Sequence, residues 1–206
     1  MSHIAGEIVM QRGVIEFKGS WKDIWTQKGR MSGTADDIDI YDGWEKSSTG
    51  MIEISKRIID ILDIHPEDKV LEVGCGAGGL GRFMKCDYVG IDYSKPLTER
   101  CMEFYRLPAI NAEANNLPFK DGYFDKCFSW GVFLYFPSIE YAGQVIDEMI
   151  RVTKEGKKCI FIGDIPEKSH NENHQVYEKS FFTKYDFTTE LGWAEPYCNE
   201  RFNAWK

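Results

Sequence analysis

An α/β fold with a doubly wound, mostly parallel sheet and helices on both faces is what this sequence predicts, from two observations. Beyond residue 68, short apolar runs alternate with amphipathic segments over short connections. One of those runs opens directly into a turn crowded with glycine, KVLEVGCGAGGLG at 69–81. Parallel strands need crossover connections, and helices in the crossovers cover both faces of the sheet. With 206 residues, the chain suffices for one well-buried domain and is short for two.

Residues 1–48 read as a helical and loop cap over the active site, and 49–206 as the main domain. In the cap, SWKDIWTQKGR (20–30) sets Trp21, Ile24 and Trp25 at helical spacing. The acidic, aromatic TADDIDIYDGWE follows, with a turn at Asp42-Gly43. From Gly50 to Ile64 the apolar Met51, Ile54, Ile58, Ile61 and Leu62 recur at helical spacing, and His65-Pro66 ends that helix. KVLEV (69–73) and YVGID (88–92) read as the first two strands, then a helix over 96–106 and a third strand at AINAE (109–113). FDKCFSW (124–130) is a fourth strand, 139–152 a helix with Ile146, Met149 and Ile150 inward, and KKCIFIGDI (157–165) a fifth strand. In the tail, FTKYDFTTELGW reads as a helix ending at Gly192, with AEPYCN and RFNAWK as two last short strands.

Apolar content of 43% and charged content of 28% are ordinary for a globular domain. A formal charge of −8 argues against a phosphate backbone as main partner, because nucleic-acid binders carry a basic footprint. The six cysteines are scattered with no C-x-x-C pair, which suits free thiols in a reducing cytoplasm. There is no signal-peptide pattern and no apolar run near the ~18 residues that span a membrane. A cytoplasmic protein, monomer or homodimer, with neither membrane nor nucleic acid as partner, is expected.

Five glycines fall within the eight positions 74–81. Glycine this dense costs backbone entropy, so something must need the main chain to pass very close to it. A strand, this turn and then a helix would present bare backbone and helix N-terminal N–H groups to a nucleotide. Gly74, Gly76 and Gly79 satisfy G-x-G-x-x-G, and Asp92 stands eighteen positions after Gly74, where a carboxylate can accept both ribose hydroxyls. On the motif alone a dehydrogenase stays open. Three further features oppose it. The turn comes well into the chain, after a helix. Glu72, two positions before Gly74, would repel a pyrophosphate and favour a cationic ligand. NAEANNLPFKDGYFD (111–125) places Glu113, Leu117-Pro118-Phe119 and Phe124-Asp125 ahead of the fourth strand.

VLEVGCGAGG, GIDYS, AEANNLPF and FDKCFSWGVFLYF, taken in order, resemble the class I S-adenosylmethionine-dependent methyltransferases, in the small-molecule branch with a type 11-like methyltransferase domain. The resemblance is strong over 50–165 and looser beyond. It implies a seven-stranded sheet in the order 3-2-1-4-5-7-6 with the last strand antiparallel. It also implies S-adenosylmethionine as cofactor and S-adenosylhomocysteine as product. Residue by residue, Glu72, Gly74, Cys75, Gly76 and Gly78 would line the methionine end of the cofactor. Asp92 would grip the ribose hydroxyls and Tyr93 would lie against the adenine. Glu113, where the family often has aspartate, would accept from the adenine amino group, and the Ala114 N–H would meet a ring nitrogen. Ser129 and Trp130 would complete the methionine pocket.

With the electrophile supplied by the cofactor, the protein need only align donor and acceptor and exclude water. The catalytic candidates are Tyr135, where many relatives carry histidine, Asp164 at the end of the fifth strand, and His170 and His174 in the loop after it. The two histidines stand four apart, a spacing that on a helix could bind metal. No third ligand is near in sequence, and no metal is expected. Trp21, Trp25, Tyr41 and Trp44, interspersed with Asp36, Asp37, Asp39, Asp42 and Glu45, would cover the acceptor and suit a sugar, an amine or a small aromatic metabolite. The expected activity is O-methylation of a small molecule such as a saccharide or secondary metabolite. N-methylation of a small amine, and a non-catalytic cofactor-binding module, are the alternatives.

Overall fold

The central strands point apolar side chains to both faces, so their sheet has to be buried on both sides. The computed structural model describes residues 9–11, 14–16, 19–41, 49–169 and 171–206. It opens with a two-stranded antiparallel ribbon, β1 (Val9–Gln11) and β2 (Val14–Glu16). Helix α1 (Trp21–Arg30), a 3-10 turn at Ala35–Asp37, α2 (Ile38–Tyr41) and α3 (Met51–Leu62) follow. Strands β3 (Lys69–Val73), β4 (Asp87–Asp92), β5 (Ala109–Asn111), β6 (Lys126–Trp130), β7 (Ile160–Pro166), β8 (Thr188–Leu191) and β9 (Arg201–Trp205) then form one sheet. Helices α4 (Lys95–Tyr105), α5 (Ile139–Val152) and α6 (Lys179–Thr183) lie between them.

The spatial order is β5-β4-β3-β6-β7-β9-β8, with β9 antiparallel to both neighbours. Counted from β3 this is the expected 3-2-1-4-5-7-6. Period-2 alternation divides the core. Val70, Phe128 and Phe161 face Ile54, Ile58 and Leu62 of α3 and Leu97 of α4. Leu71, Cys127, Ile160 and Ile162 face Val145, Ile146 and Met149 of α5 and Phe182 of α6. Strand order reverses beside β3, which opens a crevice at the carboxyl ends of the parallel strands.

Helix α1 begins with a capping box, in which the Asp23 N–H donates to Ser20 Oγ and the Ser20 N–H donates back to Asp23 Oδ2. It crosses α4 at close range. A Cβ on Gly29 would lie 2.8 Å from the Leu97 nitrogen, and Arg100 donates to the Gly29 and Met31 carbonyls.

Three expectations from the sequence need correction. No α-helix follows the glycine turn: only a 3-10 turn at Gly81–Phe83 separates β3 from β4. Glycine costs about 1 kcal/mol per interior helical position relative to alanine, and Gly76 and Gly78 take the left-handed conformation. The tail helix stops at Thr183, and Asp186 with φ 66° breaks the chain before Thr188–Leu191 becomes the edge strand. The β-branched threonines suit that strand. AEPYCN is then a connection rather than a strand, ending in a 3-10 turn at Cys198–Glu200.

Gly163 in β7 lies under the Trp130 ring, where an added Cβ would meet ring carbons at 2.2 and 2.5 Å. Gly163→Ala is therefore expected to lower the unfolding free energy by about 1–3 kcal/mol. Urea denaturation would measure it; an unchanged midpoint would show that Trp130 is free to move.

Candidate active site

The glycine turn is held by backbone bonds rather than by a helix. The Gly74 and Cys75 N–H groups both donate to the Ile91 carbonyl, at 2.8 and 2.9 Å, which ties the turn to the end of β4. Gly74 has φ +81°, and a Cβ there would lie 2.3 Å from Val132 Cγ2; no other residue fits without moving that side chain.

Asp92 ends β4 and faces this turn. Its Oδ2 accepts from the Gly76 N–H at 3.1 Å and its Oδ1 from the Ser94 N–H at 2.8 Å. The residue is only 8% exposed, and among the described residues no cation pairs with it. Burial pushes its pKa up from the ordinary 3.8 to about 6, against the lowering by the two amides. Each carboxylate oxygen keeps a lone pair beyond its one amide.

Glu72 is the second buried carboxylate of the wall, accepting from the Tyr88 hydroxyl. Tyr88 was not singled out in the sequence. Its place is made by two glycines, since a Cβ on Gly81 or Gly90 would meet its hydroxyl at 2.5 or 2.9 Å. Burial next to Glu72 drives the Tyr88 pKa well up, so it stays a donor.

Gly74, Cys75, Gly76, Asp92, Tyr93, Glu113, Ala114 and Trp130 line one cavity with Glu72, of about 1460 Å³. Gly78 and Ser129 do not line it. Gly78 lies against Cys101 Sγ and Tyr105, and fully buried Ser129 uses its hydroxyl to bind the Val73 carbonyl of β3 at 2.8 Å. Trp130 stacks on Trp193 with ring centres 5.6 Å apart.

Helix α1 crosses the cavity. The Tyr93 hydroxyl donates to the Trp21 carbonyl at 3.2 Å, and Lys22 pairs with Glu113. The Trp21 indole donates to the Asn173 carbonyl at 2.9 Å, joining α1 to the loop after β7. Trp21 and Trp25 line the cavity. Tyr41 does not: it is buried, and its hydroxyl donates to the Met31 carbonyl. Asp36 and Asp37 also lie off the cavity wall, and the Asp39 side chain falls outside the described ones. Asp42, Trp44, Glu45 and His170 lie outside the described residues.

At the far end, Tyr135 packs between Trp21, Trp25 and His174, with ring centres at 4.7, 5.1 and 5.6 Å. His174 Nδ1 is 2.8 Å from Ser169 Oγ. Burial, and secondarily the charge of Arg201, lower its pKa to about 4, so it is neutral at physiological pH. Asp164 lines the same end but is engaged by Arg201, whose Nη1 donates to Oδ2 at 2.7 Å. Burial nonetheless raises the Asp164 pKa to about 6. Arg201 carried no signal in the sequence. It reaches the site because β9 runs antiparallel, which puts its first residue at the carboxyl ends of the other strands. Among the described residues no three His, Cys, Asp or Glu side chains gather as a metal site, and no helix is long and apolar enough to cross a membrane.

Two buried carboxylates on one wall, Asp92 and Glu72, fit a ligand bearing ribose hydroxyls and a positive sulfur. They do not fit a pyrophosphate. Residues 71–161 match the family model described as a methyltransferase domain. The chain is 32% identical over 125 residues to a tRNA (carboxymethyluridine(34)-5-O)-methyltransferase of Xenopus tropicalis, covering 60% of this chain and 20% of that protein. It is 25% identical over 174 residues to the chloroplastic tocopherol O-methyltransferase of Arabidopsis thaliana, covering 74% and 49%. The chain thus matches between a fifth and a half of the length of these relatives. A SAM-dependent methyltransferase structure from Methanosarcina mazei superposes with a TM-score of 0.57 at 15% identity, over 69% of this chain and 94% of that one. Over residues 71–161 the chain thus matches a methyltransferase domain, carried on a class I, Rossmann-like fold, and that similarity implies S-adenosylmethionine as the cofactor.

Proposed function

We propose that this protein transfers a methyl group from S-adenosylmethionine to a hydroxyl of a small molecule. The observation that carries the reading is one continuous cavity, with the Asp92 turn at one end and the Tyr135–His174 aromatic cluster at the other. At about 1460 Å³ it exceeds the ~300–1,000 Å³ of common single-ligand pockets, which leaves room for donor and acceptor side by side. The cofactor supplies a sulfonium-bound methyl group and a neutral leaving thioether.

The chain's own residues bind, orient and exclude water. Asp92 would accept from the ribose hydroxyls, Glu72 would favour the cationic methionine end, and the Ala114 N–H would meet the adenine. Tyr93 and Glu113 hold α1 across the crevice, and the 1–48 segment acts as a cap. Tyr135 orients the acceptor through its hydroxyl. His174, neutral but with its pKa lowered to about 4, is a weak proton acceptor. A small acceptor accords with the net charge of −8, although relatives from Xenopus, Macaca and Arabidopsis are named as tRNA methyltransferases. Methylation of an amine is the second reading, favoured by Glu172, Glu195 and Glu200 in the same wall.

Calorimetry with S-adenosylmethionine followed by a homocysteine-release assay on a metabolite panel tests the reading. O- and N-methylated products are separated by mass spectrometry and NMR. Tight cofactor binding with no turnover on any acceptor would favour a binding module instead. With an active acceptor, Tyr135→Phe is expected to lower kcat about tenfold, ~1.4 kcal/mol, with cofactor affinity unchanged. An equal kcat would remove the phenol from the reaction.

Asp92 gives a signed pH dependence. Its folded pKa of about 6 lies above the ordinary 3.8, so the folded protein holds this proton more tightly than the unfolded chain. Ionisation then costs stability as pH rises through that window, while the ionised form is the one that accepts two ribose hydroxyls. Cofactor affinity should fall as pH drops below about 6. Asp92→Asn should bind about tenfold more weakly or worse, with a flattened pH profile, yet unfold at neutral pH no more easily than the wild type. Undiminished affinity in Asp92→Asn would sink the assignment.

A further inference from the structure

We propose that the methyl acceptor carries a compact anionic group, a carboxylate or a phosphate, and that Arg201, held by Asp164, binds it at the far end of the cavity. The inference deepens the methyltransferase reading and rests on it for the word acceptor. The site is built rather than incidental. Asp164 sits in β7 with φ +59°, an uncommon conformation for a non-glycine residue, where the pairing with β9 shifts register between Ile162 and Ile165. A bulge of this kind re-aims a side chain. The Asp164 N–H donates to Asn203 Oδ1 at 3.1 Å, and Asn203 is itself fully buried.

Arg201 opens β9 with its side chain only 11% exposed. Its Nη1 donates to Asp164 Oδ2 at 2.7 Å and to the Asp164 carbonyl at 3.2 Å, and its Cζ lies 5.4 Å from the Tyr197 ring centre. The guanidinium presents five N–H donors in a rigid fork. Among the described residues nothing accepts from its Nε or Nη2, and Arg201 lines the cavity. One edge of the fork is thus fixed, and the other is left for a planar or tetrahedral anion. Lys168, exposed and without an ion pair among the described residues, brings a second positive charge to the same wall.

Glu172, Glu195, Glu200 and neutral His174 face this end as well. Long-range attraction therefore does not select the anion. Direct hydrogen bonds to the guanidinium do, and that restricts the group to one small enough to reach it.

Isothermal titration of inorganic phosphate and, separately, of benzoate tests the assignment, with and without saturating S-adenosylhomocysteine. One anion is expected to bind the wild type with a Kd on the order of 1 mM. Phosphate binding points to a phosphorylated acceptor and benzoate binding to a carboxylic acid. Arg201→Gln should weaken that binding about tenfold or more, and Arg201→Lys, which keeps the charge but not the fork, should fall between. If Arg201→Gln does not fold, the lysine variant carries the comparison. Neither anion binding, or equal binding in wild type and Arg201→Gln, overturns the proposal. Failure of S-adenosylhomocysteine to bind the wild type would instead remove the cofactor reading, and the titrations without it still report on Arg201.

Discussion

The arrangement depends on one carboxylate buried at the end of a parallel strand and answered, among the described residues, by backbone alone. Asp92 draws the Gly76 N–H from the turn after β3 and the Ser94 N–H from the start of α4. Two connections that would otherwise move independently are thereby pinned at the point where strand order reverses. Burial leaves the carboxylate easy to protonate, which is a cost to the empty protein and a recognition device for a ligand with hydroxyl donors and positive charge. Sites held in tension of this sort are where function and stability part company.

Around that point the wall is stiffened from beneath. Tyr88 props Glu72 through a hydrogen bond, in a space cleared by Gly81 and Gly90. Trp130 lies over Gly163 and stacks on Trp193. Glycine here makes room for large aromatics, Tyr88 behind the wall and Trp130 within it. Above, α1 bridges both ends of the crevice, through Tyr93 on one side and Asn173 on the other. The same helix therefore touches the elements that would hold the donor and those that would hold the acceptor.

Much of this was legible in the linear order of residues. The apolar period located α3 and α5, the glycine cluster marked the turn, and the spacing to Asp92 marked its partner. Other features were invisible for definite physical reasons. The glycines that announce a nucleotide turn also forbid the helix expected after it. Ser129, at a strand end beside Trp130, points to β3 rather than to the cavity, because alternation puts neighbouring side chains on opposite faces. The tail was misjudged because FTKYDFTTELGW has an apolar spacing compatible with either element, and Asp186 breaks it.

By itself the sequence determined the α/β class, the glycine turn and the division of apolar residues between two faces, because these follow from local period and from glycine spacing; the family came from the resemblance of four motifs taken in order. Tertiary structure alone decided what stands at the acceptor end. Arg201 meets Asp164, and Trp21 meets Asn173, across 37 and 152 positions of chain. An antiparallel final strand and a helix laid over the crevice bring these groups together, and no local periodicity encodes such a meeting.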